Sequence, residues 1–425
     1  MPTVMLVSMV IFFALSIPIA VSIGFASILG VQLFGGVPML VVPKEIFSAI
    51  DKFALGAIPF FILAGNVMEV GGISKRLVNF AKSIVGGMQG GLAMTCVVTC
   101  MIFAAVSGSG PATTFAVGAI LIPALVKHGY PVSFAAALQA TSAELGVIIP
   151  PSIPMIIYGV SAEVSIAELF IAGFGPGLLI GGGLLIFVWC WCRFKGFGKD
   201  DHQGRMQFMQ ATKEASLALM MPVIILGGIY GGVFTPTEAS IIAVFYALII
   251  GIGVYREIKF KDLFPILRKS VISSAVIMFI IANAGMFSYL IARAGVPELI
   301  GEFLKAHLSS GTTFLLGVNV ALFFIGMFIE TSSSIIVLAP ILVPVAVMFG
   351  IDPVHFGLIM VVNLACGMIT PPFGVNLFAA CTVAKISVDQ MLRDLIPFVM
   401  TVLCCLMAIT YCPQISLFLR DLVYR

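Results

Sequence analysis

Charged residues are scarce in this sequence. Only 10% of the 425 residues are charged, whereas 60% are hydrophobic, and a soluble domain carries about 25% charged residues. No Asp, Glu, Lys or Arg occurs before Lys44, and three more uncharged runs follow at 83–126, 169–192 and 270–292. Because a membrane-spanning helix needs about 20 consecutive apolar residues, this scarcity argues against a water-soluble domain and predicts a polytopic α-helical membrane protein.

Motifs for metal or nucleophilic chemistry are also missing. The sequence contains no HExxH pair and no CxxC spacing, so the nine cysteines are predicted to be buried, inert thiols. The four histidines fall in predicted loops or at the ends of spans, and the residues around Ser109 do not form Gly-x-Ser-x-Gly. An intramembrane serine protease needs a base within reach of its nucleophile. These absences argue against an enzyme.

Basic residues are concentrated in two clusters that predict an orientation. The members are Arg193, Lys195, Lys199, Arg205 and Lys213, then Arg256, Lys259, Lys261, Arg268 and Lys269. The positive-inside tendency places both clusters in the cytoplasm, and the two apolar spans between them return the chain to the same side. The N-terminus lacks the charged region and cleavage site of a signal peptide, so residues 1–33 are predicted to be one retained span. Residue 1 is then expected in the cytoplasm and residue 425 in the periplasm.

A constant spacing relates the two halves of the chain. Five positions in the first half recur 221 residues later: Pro123, Gly146, Pro150, Pro151 and Pro176 correspond to Pro344, Gly367, Pro371, Pro372 and Pro397. A proline inside a helix breaks its hydrogen bonding at a cost of about 3 kcal/mol or more, so both Pro-Pro pairs predict broken helices. The shared offset predicts an internal duplication. Five predicted crossings lie between the two breaks, and this odd number inverts the second copy, as in many secondary transporters.

The segment before each break is too long for a single span. Residues 83–126 would measure about 66 Å as one helix, against a hydrocarbon core of about 30 Å. Gly, Ser and Pro interrupt this run at 107–114, and the sequence ETSSS at 330–334 interrupts the second run. Both segments are therefore predicted to be helical hairpins whose tips lie inside the membrane. The predicted fold is an all-α polytopic membrane protein with inverted repeats, each with a re-entrant hairpin and a broken helix.

Each broken helix is a candidate binding site. Freed carbonyls and helix C-terminal ends coordinate cations, and helix N-terminal ends favour anions. Two tips facing two breaks predict two cation sites around one anion site. The predicted cation ligands are Ser107, Gly108, Ser109, Gly146 and Ile149 in the first site, and Thr331, Ser332, Gly367 and Thr370 in the second. The predicted anion contacts are Ser107, Thr113, Pro150, Ser332, Ser333, Pro371 and Asn376.

The chemistry of these residues favours a monovalent cation. Hydroxyl and carbonyl oxygens suit hard cations, and Ca²⁺ would require several carboxylates. The sequence thus predicts two or more Na+ ions. A flexible turn between helices would also use Gly and Ser, and this is the alternative interpretation of each tip.

Three acidic residues lie in or beside apolar runs. Glu238 follows Thr235 at capping-box spacing, which predicts a structural role. An acid within a span is a functional candidate by default. Glu330 is a candidate for shaping the second tip, and Glu144 is expected to pair with a basic residue or to orient the first broken helix.

Four segments together resemble a known family: FAAVSGSGPATT, LGVIIPPSIPMIIYGVS, GGVFTPTEAS and CGMITPPFGVNLF. They are similar to signatures of the large membrane subunit of TRAP (tripartite ATP-independent periplasmic) transporters. The resemblance implies an elevator-type permease of the bacterial inner membrane, driven by a Na+ gradient. It implies two obligatory partners, a small four-helix membrane subunit and a periplasmic substrate-binding protein. Membrane lipid is also expected around the chain, and no nucleic acid. The hairpins look most similar to sialic-acid importers, with C4-dicarboxylate or another carboxylate as the alternative substrate.

The predicted division of the chain follows the duplication. Residues 1–82 are assigned to scaffold helices, 83–162 to the first hairpin and broken helix, 163–305 to an arm and the linking scaffold, 306–386 to the second hairpin and broken helix, and 387–425 to an arm and C-terminal helix.

Besides an enzyme, a channel or a purely structural subunit is the other alternative to a transporter. Two matched broken helices favour binding sites over an open pore.

Overall fold

The computed structural model describes residues 2–34, 36–198, 208–308 and 310–424. Within these ranges the chain forms 21 α-helices and no β-strand. A short 3₁₀ turn at Phe53–Gly56 precedes the fourth helix, and a π-helical turn at Ile249–Val254 extends the thirteenth.

The helices are numbered in chain order. Those up to the first break are α1 (Pro2–Ala14), α2 (Ile19–Phe34), α3 (Val41–Ile50), α4 (Ala57–Val70), α5 (Ile73–Val85), α6 (Gly91–Ser107), α7 (Gly110–Lys127), α8 (Val132–Ala143) and α9 (Leu145–Ile148). Those between the breaks are α10 (Ile153–Ala162), α11 (Ile166–Lys195), α12 (Phe208–Tyr230), α13 (Pro236–Leu248), α14 (Phe260–Arg293), α15 (Val296–His307), α16 (Gly311–Phe328), α17 (Thr331–Met348) and α18 (Pro353–Met368). Those after the second break are α19 (Val375–Ala384), α20 (Val388–Tyr411) and α21 (Pro413–Tyr424).

Helix length and composition confirm a polytopic membrane protein. Nine helical segments of the described residues are long and apolar enough to cross a membrane. The bent pair formed by α8–α9 and α10, with an angle of 41° between its halves, would make a tenth span. Arg193 and Lys195, at the end of α11, lie over the rings of Trp189 and Trp191 at 5.2 and 5.3 Å. Such pairs of aromatic rings and cations are typical of a membrane interface. Lys199 and Arg205 of the same basic cluster lie outside the described residues.

The N-terminal apolar run is two helices and not the single span predicted for 1–33. Phe12 of α1 and Phe25 of α2 have ring centroids 6.5 Å apart, whereas 13 residues of continuous helix would separate them by about 20 Å. The chain folds back between them, where Ser16 has a left-handed φ of 60°. Pro18 cannot donate a backbone hydrogen bond to the preceding turn, so the helix does not continue.

The structure confirms the internal duplication. Helices α7 and α17 begin at Gly110 and Thr331 and end at Lys127 and Met348, and 331 minus 110 and 348 minus 127 both give 221. Each copy is a hairpin followed by a broken helix: α6/α7 with α8–α9/α10, and α16/α17 with α18/α19. The peptide bonds Pro150–Pro151 and Pro371–Pro372 are both cis. The four long helices α11–α14 lie between the copies, as the predicted parity for an inverted second copy requires.

Helices of the two copies pack directly against each other. Helix α19 of the second copy packs on α7 and α8, and α17 packs on α10. A second group of helices also packs together: α14 packs on α2, α3 and α4, and α13 packs on α4. Helix α14 also packs on α17, and thus connects this group with the second copy. The assignment of these groups to scaffold and transport domains stays a prediction.

The cysteine prediction holds for only part of the set. All nine are free thiols, and Cys96, Cys100, Cys192, Cys366 and Cys381 are buried. Cys190, Cys404 and Cys412 are exposed on the surface of the isolated chain and Cys405 is half-buried, so the prediction that every thiol is buried is wrong. An apolar run does not reveal which face of a membrane helix turns outward, because lipid is as apolar as a protein core.

Candidate ion- and anion-binding site

The first hairpin tip is a compact turn with three hydrogen-bonded oxygens. Helix α6 ends at Ser107, and Gly108 has a left-handed φ of 61° that suits a residue without a side chain. Ser107 Oγ lies 2.8 Å from Thr113 Oγ1, and Thr113 Oγ1 donates to the carbonyl oxygen of Ser109 at 2.8 Å. These hydroxyl and carbonyl oxygens are of the type that could ligate a hard cation.

This tip lies directly against the first break. The carbonyl of Gly108 accepts a hydrogen bond from Ile153 N at 3.4 Å. A Cβ placed on Gly146 would lie 2.7 Å from both Ser109 O and Thr113 Oγ1, so only glycine allows this approach without displacement of a neighbour. The structure therefore brings together four of the five residues predicted for the first cation site, Ser107, Gly108, Ser109 and Gly146, together with Thr113.

Ile149 and Pro150 form the break itself. Ile149 ends α9 with an extended backbone. Its side chain lies against Gly177 of α11, where an added Cβ would be 2.5 Å from Ile149 Cγ1. Only the backbone oxygen of Ile149 is thus suited to ligation. Ser152 Oγ accepts a hydrogen bond from Met155 N and starts α10 on the far side of the break.

The second tip is organised by a carboxylate. Glu330 caps α17 by accepting hydrogen bonds from Ser333 N at 3.1 Å and from Ser332 Oγ at 2.9 Å. Thr331 Oγ1 donates to Met368 Sδ at 2.9 Å across to the second break. Glu330 therefore shapes this tip, which is the role considered for it from the sequence. The two tips are not equivalent, because only the second carries an acid.

The second tip also meets its break through glycines. A Cβ on Gly367 would lie 2.3 Å from the carbonyl carbon of Gly326, in the other half of the hairpin. Phe373 N donates to Met327 O at 3.2 Å, and Thr370 Oγ1 donates to Cys366 O at 2.8 Å. The residues predicted for the second site thus lie along one contact between hairpin and break, with Pro371 half-buried beside them.

Asn376 connects the second copy with the first tip. A Cβ on Gly110 would lie 2.7 Å from Asn376 Nδ2, so this amide lies against the start of α7. Asn376 is fully buried, and neither atom of its amide has a hydrogen-bond partner among the described residues. Leaving a buried polar group unpaired costs about 1–3 kcal/mol, so a ligand that pairs with this amide would be favoured.

The structure contradicts one of the two roles considered for Glu144. Both carboxylate oxygens are buried and lack a partner in the described part of the chain, so the expected pairing with a basic residue is wrong. It lies at the junction of α8 and α9, two residues before Gly146, where the alternative role of orienting the broken helix is still compatible with its position.

The capping box at Thr235 and Glu238 is confirmed, with Thr235 N donating to Glu238 Oε2 at 2.8 Å.

Sequence reasoning missed a cavity beside the first tip. It has a volume of about 290 Å³ and lies between Ser107 and Ser109 on one side and helices α4 and α14 on the other. Glu69 and Lys269 lie in its wall, and Lys269 Nζ is 2.8 Å from Glu69 Oε2. The two residues are 200 positions apart, so no local pattern joins them; the only available signal was that both stand next to apolar runs.

These features together define a class of protein. Re-entrant tips facing broken helices, repeated with inverted topology, are the construction of secondary transporters. Within the described ranges no group of three or more His, Cys, Asp and Glu side chains is placed to hold a metal ion. The fold and the site are those of a multi-pass membrane transporter.

Comparison with known proteins identifies the family. The chain belongs to the DctM family, the DctM component of tripartite ATP-independent periplasmic transporters, whose family model matches residues 6–415. It is 41% identical over 420 residues to the C4-dicarboxylate TRAP transporter large permease protein DctM of Rhodobacter capsulatus, covering 96% of each chain. It is 42% identical over 409 residues to the isethionate TRAP transporter permease protein DctMQ of Oleidesulfovibrio alaskensis, covering 96% of this chain and 64% of that longer relative.

A solved structure supports the fold independently. The YdaH transporter of Alcanivorax borkumensis superposes with a TM-score of 0.60, covering 89% of this chain and 88% of that one at 14% sequence identity. At this identity the likeness concerns the fold alone. The chain is thus a large TRAP permease, a multi-pass integral protein of the bacterial inner membrane, and not an enzyme.

Proposed function

We propose that this chain imports an organic acid anion together with Na+, as the permease subunit of a tripartite transporter. The observation that carries the proposal is the repeated contact of an oxygen-rich tip with a helix break, with the unpaired amide of Asn376 between the copies. Two such contacts provide two cation sites, and the buried amide provides a polar contact for the substrate.

The sites couple ion and substrate binding through electrostatics. The tips and breaks present hydroxyl and carbonyl oxygens, and the second tip also presents Glu330. A bound Na+ offsets this partial negative charge and lowers the cost of placing an anion between the sites. Binding of each ligand then strengthens binding of the other by the same factor, with a coupling free energy of about 1–3 kcal/mol.

An elevator movement is the transport mechanism that fits this arrangement. The two hairpins and broken helices form one packed group, while α2, α3, α4, α13 and α14 form another. The movement would exchange the contacts between the groups, which include α14 with α17, α4 with α6, and Lys52 Nζ with the carbonyl oxygen of Val160 at 3.4 Å. The first group would carry ions and substrate past the second.

The substrate class follows from the relatives and the site chemistry. The names of the two relatives above refer to C4-dicarboxylates and to isethionate, and both are small organic anions. A C4-dicarboxylate is therefore the first substrate to test. The sialic-acid expectation stays a prediction that neither name supports.

The partners follow from the tripartite organisation of the family. We propose a small four-helix membrane subunit and a periplasmic substrate-binding protein, which would deliver the anion. The first helices, α1 to α4, would provide the surface for the small subunit, and this chain without the small subunit should transport nothing.

Loss of a single hydroxyl ligand should weaken Na+ binding. Ser107→Ala and Thr370→Ala are each expected to raise the Na+ concentration for half-maximal uptake, because an unmet ligand position costs about 1–3 kcal/mol. Uptake in proteoliposomes that contain both membrane subunits, with the binding protein outside, measures this over a Na+ titration. A saturating substrate concentration should partly restore the Na+ affinity.

Thr95→Ala is the matched control. Thr95 is buried in α6, and its hydroxyl donates to Gly91 O of the same helix, far from the tip. Its Na+ dependence should equal that of the unmodified protein. If Ser107→Ala and Thr370→Ala also keep that dependence, the ions bind elsewhere.

A further inference from the structure

The cavity beside the first tip joins the site to one end of the membrane region. Ser107, Ser109 and Ala112 form its inner wall, and Asn66, Glu69 and Lys269 of α4 and α14 form its outer wall. Lys269 belongs to the second basic cluster, which the positive-inside tendency places in the cytoplasm. With that orientation, the cavity would be the cytoplasmic approach to the first tip.

One ion pair provides the charge that the described lining residues bring to this cavity. Among the described residues that line it, Lys269 is the one cation and Glu69 the one anion. Their side chains are 58% and 28% exposed, and Lys269 Nζ lies 2.8 Å from Glu69 Oε2. Asn66 of α4 and Ser270 of α14 form a second, buried contact, in which Asn66 Nδ2 donates to Ser270 Oγ at 2.8 Å. The two helices are therefore joined even without the ion pair. The two helices would therefore stay in contact if the ion pair opened to bind another charged group.

We propose that Lys269 is an anion-binding position on the cytoplasmic release path, with Glu69 as its partner when no substrate is there. The inference rests on the proposed function, because it requires an organic anion at the first tip. A carboxylate or sulfonate that leaves the tip enters a cavity in which the Lys269 ammonium is the one positive group among the described lining residues. Glu69 competes for the same ammonium, and this competition keeps the anion weakly bound. After release of the anion, the Glu69–Lys269 ion pair forms again.

Competition by Glu69 predicts opposite effects for the two halves of the pair. Lys269→Gln removes the cation and should weaken anion binding. Glu69→Gln leaves the cation unpaired and should strengthen binding, with slower release and a lower maximal uptake rate. Each change in Kd should be about two- to fivefold, the scale expected for a solvent-exposed charge. Both changes should shrink when the ionic strength is raised from about 0.05 to about 0.5 M, because salt screens exposed charges.

Equilibrium binding to the purified complex of the large and small subunits tests this. Radiolabelled succinate, isethionate and N-acetylneuraminate are titrated at fixed saturating Na+, and the anions that bind the unmodified complex are measured with each variant. Lys261→Gln is the matched control, since Lys261 is an exposed cation on the same helix and outside the cavity wall. Its Kd should stay unchanged.

The outcomes separate this inference from the proposed function. A higher Kd for Lys269→Gln together with a lower Kd for Glu69→Gln supports the release site. If both variants shift Kd in the same direction, or neither does, the pair only ties α4 to α14 and the inference is overturned. If the unmodified complex binds none of the three anions at any Na+ concentration, the proposed function fails first and the release site fails with it.

Discussion

Gly367→Ala is expected to abolish Na+-driven uptake. The added methyl group would lie 2.3 Å from the carbonyl carbon of Gly326 and 2.4 Å from its Cα. Both atoms are backbone, so no side-chain rotation relieves the overlap and the hairpin must move away from the break. This would separate the second hairpin from the second break and dismantle the proposed second cation site. Overpacking of this kind also destabilises by about 1–3 kcal/mol.

Gly317→Ala is the matched control for this substitution. Gly317 lies on α16, as Gly326 does, and a Cβ there meets nothing within 4 Å. Alanine at an exposed helical glycine stabilises by about 0.5–1 kcal/mol, so this variant should transport normally. Uptake and the unfolding temperature are measured for both variants. Normal Na+-dependent uptake by Gly367→Ala would show that the contact between tip and break is not needed for transport.

Arg420→Met is expected to cause the largest loss of stability. The Arg420 side chain is 3% exposed, and its Nη1 lies 2.8 Å from Asp352 Oδ2. Its Nη2 also lies 2.7 Å from Asp421 Oδ1. Asp352 in turn caps α18, with Oδ1 accepting hydrogen bonds from Val354 N and His355 N. Breaking a buried pair by removing one partner costs about 3–5 kcal/mol, and the partial exposure of Asp352 places this case towards the lower end.

The pH dependence of stability provides a second readout for this ion pair. Burial raises the pKa of Asp352, but hydrogen bonds from Arg420 and from the backbone N–H groups of His355 and Val354 outweigh it and hold the pKa below its ordinary value. A lowered pKa in the folded state adds stability above the unfolded-state pKa of about 3.9, and this stability is lost as the pH falls through the folded-state pKa. In Arg420→Met the burial effect is less opposed and the folded-state pKa of Asp352 rises, so this group should lose less stability as the pH falls, and the stability difference between the variant and the unmodified protein should shrink in acid.

Two further variants make the ion-pair prediction specific. Arg393→Met removes an exposed cation of α20 and should change the unfolding temperature little. The double variant Arg420→Met with Asp352→Asn removes both charges and should recover part of the stability, because no buried charge is left unpaired. If Arg420→Met unfolds at the same temperature and with the same pH profile as the unmodified protein, the pair contributes nothing measurable to holding α21 in place.

Local sequence signals located the helix breaks and hairpin tips that form the candidate site. Pro150, Pro371 and the glycines beside them change the backbone wherever they occur, so the breaks and the first tip were visible from residue type alone. The offset of 221 residues then located the second copy, including a tip with no glycine. Asn376 was visible as a polar residue in an apolar helix directly after a break.

Contacts between distant residues explain what the sequence did not reveal. The fold-back between α1 and α2 replaces a predicted single span, since hydropathy measures length and not direction. The ion pairs Glu69–Lys269 and Asp352–Arg420 join residues 200 and 68 positions apart, and neither leaves a periodic pattern. Residue 425 is expected in the periplasm, the side that basic residues avoid, and the pairing of the nearby Arg420 with Asp352 and Asp421 balances its charge.

Coupling of organic-anion uptake to a Na+ gradient is the central claim, and one measurement tests it directly. Proteoliposomes with both membrane subunits receive the binding protein and radiolabelled succinate outside, with an inward Na+ gradient or with choline in place of Na+. The account predicts saturable accumulation above the external concentration with Na+, and loss of accumulation when a Na+ ionophore collapses the gradient. Equal accumulation with choline, or accumulation that survives the ionophore, would contradict it.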